Sequence, residues 1–135
     1  MKTNRVILEN NYMKLINGRH GIFHVNENDF YLGRSIVEYG EYSEYELKFI
    51  FCFINDKSVV VEVGSNTGLL SVPIAKRCKN LITIEPNHIN YLSLCCNLSL
   101  NNLHNVRSFN IGISKEQCVM NYNDYDYSSK YNSGE

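Results

Sequence analysis

The chain lacks an excess of charge of either sign: 13 Lys and Arg stand against 14 Asp and Glu, a formal net charge of -1 over 135 residues. A protein that holds nucleic acid through a basic surface is therefore not expected. Long apolar runs are missing too. The longest strict run, Phe49-Ile50-Phe51-Cys52-Phe53-Ile54, is far short of the ~18 residues that cross a bilayer. The start Met1-Lys2-Thr3-Asn4-Arg5 is positive, but no apolar stretch follows, so it does not read as a signal peptide. Five cysteines are an odd number, which excludes a complete disulfide framework and points to free thiols in a cytoplasmic protein. Their spacing suits no metal: Cys95 and Cys96 are adjacent, and Cys52, Cys78 and Cys118 stand alone.

What is present suffices for one domain. Apolar residues make up 44% of the chain, enough for a core. Residues 1–40 read as a small β preface. Tyr12 to Ile16 and Gly21 to Val25 flank Asn17-Gly18, the signature of a type I′ hairpin. His20 and His24 would share a strand face and are expected at the surface. Residues 41–115 alternate helix and strand. Ser43 and Glu46 have capping-box spacing, and Leu47, Ile50, Phe51 and Ile54 form one helical face. Val59 to Val63 reads as a strand buried on both faces, as in a parallel sheet. A helix of about ten residues should follow Gly68 and run to Arg77, with Pro73 tolerated if the first turn starts near Leu69 or Leu70. Leu81 to Ile84 is a second strand. A helix from His88 to Asn101 should bury Ile89, Leu92, Cys96 and Leu100, and Val106 to Ile111 is a third strand. The alternation predicts an α/β parallel sheet with crossover helices. Residues 116–135 form a polar loop or disordered tail.

The chemistry concentrates between Val59 and Pro86. A strand ends in Glu62, and Gly64 and Gly68 bracket the loop Gly64-Ser65-Asn66-Thr67-Gly68. Ligands of open α/β sheets bind at the carboxyl ends of strands. Gly64 permits a tight turn and close ligand approach, and free N–H groups at the next helix start would favour an anionic group. Glu85, before Pro86 at the end of the second strand, can accept hydrogen bonds from a ribose diol. The pattern Glu-x-Gly-x-x-x-Gly lacks the middle glycine of a dinucleotide fingerprint, which disfavours NAD. A ligand with a ribose but no pyrophosphate fits better, and S-adenosylmethionine is the common one. The plainer alternatives are that Glu62 caps loop backbone, that Glu85 is a solvated carboxylate, and that the glycines serve the turn alone.

Three stretches carry a family resemblance: Val37-Glu38-Tyr39-Gly40-Glu41-Tyr42-Ser43-Glu44-Tyr45-Glu46, the segment Val59 to Gly68, and Ile84-Glu85-Pro86-Asn87, joined by Tyr91 to Asn101. Together they resemble the FkbM family of S-adenosylmethionine-dependent methyltransferases. The family's Asp-x-Gly-Ala-Asn-x-Gly appears as Glu62-Val63-Gly64-Ser65-Asn66-Thr67-Gly68. The resemblance implies a Rossmann-like class I methyltransferase fold, here a partial parallel sheet behind the β preface. It also implies O-methylation of a hydroxyl on a sugar or small-molecule scaffold. The implied cofactor contacts are Glu62, Gly64, Ser65, Asn66, Thr67, Gly68, Glu85 and Pro86. It places the segment around Glu41 and Glu44 near the cofactor, although first-turn carboxylates also suit a helix dipole.

Further expectations follow from where the family continues. A fourth strand with an acidic end would come next, whereas this sequence runs through a polar segment to Glu135. The chain therefore reads as an N-terminal half, with Val59 to Val63 as an exposed sheet edge open to self-association and little activity alone. No catalytic base is assigned. The expected partner is a saccharide or small-molecule acceptor, with no nucleic acid and no membrane. Two alternatives remain: a non-catalytic remnant or nucleoside-binding module completed by a partner chain, and half of an NAD-dependent oxidoreductase.

Overall fold

The computed structural model describes residues 5–119, 121 and 125–134. An antiparallel sheet opens the chain, in the order β1 (Arg5–Asn10), β2 (Met13–Asn17), β3 (Ile22–Asn26). Two helices follow, α1 (Leu32–Tyr39) and α2 (Glu44–Phe51). A second sheet holds β4 (Val59–Val63), β5 (Asn80–Ile84) and β6 (Val106–Phe109), all parallel, with β5 in the middle. Its crossovers carry α3 (Ser71–Ala75) and α4 (His88–Leu100).

The hairpin forms, but not with the expected turn. Asn17 pairs with Ile22, so residues 18–21 make a four-residue loop, and positive φ falls at Gly21 rather than at Asn17 or Gly18. His20 therefore lies in the loop, not on a strand face with His24. Its Nε2 meets Glu44, and Arg19 pairs with Glu41 and Glu44. Glu44, in the first turn of α2, and Glu41, just ahead of the helix, thus tie the hairpin to α2.

Residues 1–40 hold a helix as well as strands. Asp29 Oδ1 accepts from the backbone N–H of Tyr31 and Leu32, at 3.2 and 3.1 Å. That satisfies two of the orphan donors that begin α1. Gly40, at φ 71°, ends the helix by donating to Ile36 O. At α2 the capping box is not reciprocal. Ser43 sits in the left-handed region and its Oγ donates to Glu46 Oε2 at 2.7 Å, so neither side chain reaches a backbone N–H. Leu47 is buried from this helix, with Ile50, Phe51 and Ile54 packed beside it in part.

α3 spans five residues and begins at Ser71, three positions after Gly68. Pro73 stands in the first turn, where proline is tolerated, and the N–H groups on either side of it, Val72 N and Ile74 N, donate to Gly68 O and Leu70 O. α4 buries a face other than the aliphatic stripe. Ile89 and Leu92 are exposed, and Asn90, Leu94, Asn97 and Leu98 are buried. The reason is a backbone edge. Asn97 accepts from His24 N at 2.6 Å and donates to His24 O at 3.2 Å. Asn101, one turn on, accepts from Ile22 N and donates to Ile22 O, at 3.1 and 2.7 Å. Two side-chain amides thereby stand in for a neighbouring strand along β3, closing an edge that would otherwise be bare.

β4 is not buried on both faces. Val59, Val61 and Val63 are 63%, 58% and 61% exposed, and no described strand pairs with its outer side. Val60 packs toward α2 and α3. Neither the hairpin nor residues 125–134 cover this edge. The latter segment packs elsewhere, with Tyr131 bridging Asp29.

Candidate ligand site at the ends of β4 and β5

The loop after β4 turns on three left-handed residues, Gly64 (φ 78°), Asn66 (φ 49°) and Gly68 (φ 84°). Gly68 is needed twice over, because a Cβ there would also meet Leu94 Cδ1 at 2.7 Å. Gly64 differs. Nothing lies within 4 Å of where its Cβ would be, so the turn leaves open space in front of the backbone. The loop is tied back to β5: Gly64 N and Ser65 N both donate to Ile84 O, at 2.8 and 3.1 Å. Within it, Gly68 N donates to Ser65 O at 2.9 Å, and Thr67 N to the Asn66 side chain at 2.7 Å. Every backbone N–H of the loop from Gly64 to Gly68 thus has an acceptor within the protein, Asn66 N donating to Glu85.

Glu85 joins the two strand ends. Its Oε2 accepts from Asn66 N at 2.7 Å and its Oε1 from Asn87 N at 2.9 Å. It is 5% exposed. Each carboxylate oxygen has two lone pairs, so one on each remains for a ligand. Pro86 is exposed, and its carbonyl and that of Glu85 accept from Asn110 Nδ2 at 3.0 and 2.8 Å. Asn87 caps α4, accepting from Asn90 N at 3.0 Å.

Glu62 is placed differently. Its side chain turns to the helix side of the sheet, where Ser71 Oγ donates to Oε2 at 2.6 Å. Burial raises its pKa to about 7, against the lowering effect of the Ser71 and Ser65 hydroxyls. Ser65 is buried and its Oγ donates to Glu62 O at 3.2 Å. The expected residues thus fall into two groups. Gly64, Asn66, Gly68 and Glu85 meet at the strand ends, and Glu62 and Ser65 brace the turn from within.

Sequence reasoning missed Ser71, Asn87 and the segment that crosses the loop. Ser133 O accepts from Asn66 Nδ2 at 2.7 Å, Ser133 Oγ donates to Asp29, and Tyr127 OH donates to Asn87 Oδ1 at 3.3 Å. Asn87 carried a signal: an Asn just before a helical run is a cap. The crossing segment carried none, because polar Tyr, Asp and Ser residues look alike whether docked or solvated.

No family model and no curated protein matches the chain, so the FkbM resemblance rests on its motifs. Solved structures do match. TYW2 of M. jannaschii, solved in complex with AdoMet, superposes with a TM-score of 0.56 at 23% identity, over 77% of this chain and 45% of that one. A putative transferase, PH0793 from Pyrococcus horikoshii, gives 0.61 at 18% identity, over 78% and 38%. A dimethyladenosine transferase from Plasmodium falciparum gives 0.50 at 20%, over 58% and 29%. The chain spans less than half the length of each. At such identities the likeness is one of architecture: the chain carries part of the Rossmann-like fold of class I methyltransferases.

Proposed function

We propose that the chain binds S-adenosylmethionine at the carboxyl ends of β4 and β5 and serves methyl transfer to a hydroxyl on a sugar or small-molecule scaffold. The observation that carries the reading is the open left-handed turn at Gly64 beside Glu85. The space before Gly64 suits the close approach of a ligand chain to backbone. Glu85 is held by two backbone amides and offers its remaining lone pairs to ribose hydroxyls. When bound, the cofactor supplies an electrophilic methyl group on a sulfonium. Asn66, Thr67 and Gly68 fix the loop that faces it, and Glu62 with Ser71 holds the end of β4. Alignment of donor and acceptor is the main task of such a site. TYW2, solved with AdoMet on the same fold, supports the cofactor, and the FkbM resemblance supports the hydroxyl acceptor.

A nucleoside acceptor is the second reading, favoured by the dimethyladenosine transferase among the matching folds. The chain's formal net charge of -1 gives no overall attraction to a long nucleic acid. The test has two stages. Calorimetry with S-adenosylhomocysteine and with NAD should show binding of the first only; NAD binding alone would replace the reading with an oxidoreductase. Methyl-labelled cofactor is then offered with saccharides and with an adenosine-containing oligonucleotide. Label in the saccharides supports the first reading and label in the oligonucleotide the second. Binding without any transfer supports a nucleoside-binding module.

A further inference from the structure

A cavity of about 250 Å³ lies between the antiparallel sheet, the N-terminal part of α4 and the segment 125–134. Its lining includes Thr67 of the loop after β4 but not Glu62, Gly64 or Glu85. Met13 and Ile89 contribute apolar walls, Tyr127 and Tyr131 aromatic ones, and His24 and Ser93 supply polar groups. Three features give it the character of a site. The first is its size. A 150 Å³ apolar cavity in a protein core holds benzene, so this volume accommodates a substituted ring. The second is its aromatic wall. The Tyr127 and Tyr131 rings meet edge to face with centroids 5.2 Å apart, and Tyr125 stacks on Tyr131. The third is a vacancy in hydrogen bonding. His24 Nδ1 is buried and has no partner among the described residues. Leaving such an atom unpaired costs about 1–3 kcal/mol.

The charges around the cavity narrow the ligand. Among the described residues no Lys or Arg lines it, so none of them attracts a phosphate or carboxylate there. Asp29, the one acidic residue lining it among the described residues, is already engaged by Tyr31 N, Leu32 N and Ser133 Oγ. Burial lowers the pKa of His24 and so favours its neutral ring. Burial and the nearby Asp29 raise that of Tyr131 and keep its phenol protonated.

We propose that this cavity binds a small uncharged hydroxylated aromatic ring, of the phenol class, whose hydroxyl bonds to His24 Nδ1 beneath Tyr127 and Tyr131. A hydroxyl suits either tautomer of the imidazole, since it both donates and accepts. The ring faces suit tyrosine edges, methionine sulfur and isoleucine. The segment 125–134 then acts as the cover of the pocket, anchored through Ser133 to Asp29 and Asn66.

The probes are phenol and toluene, which share a ring and differ in the hydroxyl. Each is titrated into the isotope-labelled full chain, and the backbone amides and the His24 ring nitrogens are followed by NMR. Phenol should shift His24, Ser93 and Tyr131 saturably and move the His24 Nδ1 resonance. Toluene should bind about tenfold more weakly, the equivalent of one hydrogen bond at about 1.4 kcal/mol. In His24→Leu the two probes should bind equally, with the amide spectrum elsewhere confirming the fold. Equal affinities in the unaltered chain would overturn the role of His24. Absence of saturable shifts, or shifts confined to residues outside the cavity, would mean that the space holds only water. Saturation by S-adenosylhomocysteine of Gly64 to Gly68, measured in the same sample, reports on the strand-end site separately.

Discussion

β4 and β5 lie side by side, run the same way and end in loops that face each other, yet their residue types alone mislead about which is the inner strand; the edge place of β4 followed only from the strand order that the family resemblance implied. Val59-Val60-Val61-Glu62-Val63 looks the more buried, and it is the edge, with three valines facing outward. Asn80-Leu81-Ile82-Thr83-Ile84 looks the more polar and is the centre, paired on both sides with Leu81 and Thr83 fully buried. Thr83 fits there because its hydroxyl donates to Ser108 Oγ at 2.7 Å. Residue type states what a strand tolerates; its neighbours decide what it gets.

The glutamates at the strand ends differ in the same way. Glu85 gathers backbone amides from two loops, and Glu62 sits beneath the sheet against a serine. Removing Glu85 should therefore cost most. Glu85→Ala leaves the amides of Asn66 and Asn87 without their acceptor, and we expect a loss of about 2–4 kcal/mol in urea denaturation. A loss under about 0.5 kcal/mol would mean that water replaces the carboxylate and that the two glutamates do not differ in structural weight.

Glu62 should show itself through pH. Its folded pKa of about 7 lies above the ordinary carboxylate value of 4.5, so the folded chain binds a proton the unfolded chain has released. Its contribution is present in full below pH ~4.5 and is lost as pH rises through ~7, on the order of 2 kcal/mol. His24, whose pKa is lowered, acts in the opposite sense, its contribution lost as pH falls below ~6.5. The difference between the unaltered chain and Glu62→Gln isolates the glutamate. Parallel pH profiles for the two proteins would place Glu62 in water instead.

The edge position of β4 gives a smaller effect, on association. Val61 is 58% exposed on a strand with an unpaired side. Sedimentation should show concentration-dependent self-association, and Val61→Lys should weaken it about tenfold with stability changed by less than ~0.5 kcal/mol. A monomer at all concentrations would show that an apolar edge of five residues is too short to pair. Asn66→Gly should matter least to stability, within about 0.5 kcal/mol, because glycine accepts the left-handed turn that Asn66 already makes. It removes the amide that holds Ser133 O, so cleavage of the chain within residues 125–134 should quicken in limited proteolysis.

The parallel sheet was legible because each of its strands is a short apolar run set between helical patterns. α1 was not read, although Asp29 before it and Gly40 after it are the marks of a capped helix. Eight residues with a glycine inside give too little periodicity to notice. The face of α4 was misread for a different reason. Its partner is a strand edge, which calls for amides, and a search for apolar stripes passes over Asn97 and Asn101. At the candidate site the glycine turn and Glu85 were readable as motifs. The inward turn of Glu62, the lone His24 nitrogen and the crossing segment depend on contacts between residues far apart in sequence, which local patterns do not encode.

The central claim is that the loop after β4 and the end of β5 form one cofactor site. Titration of S-adenosylhomocysteine into the labelled chain, followed by backbone amide NMR, tests it directly. The account predicts saturable shifts at Gly64, Asn66, Gly68 and Asn87 that share one affinity, with that affinity weakened by Glu85→Gln. Saturable binding whose shifts leave both strand ends untouched, or no binding at all by the folded chain, would contradict it.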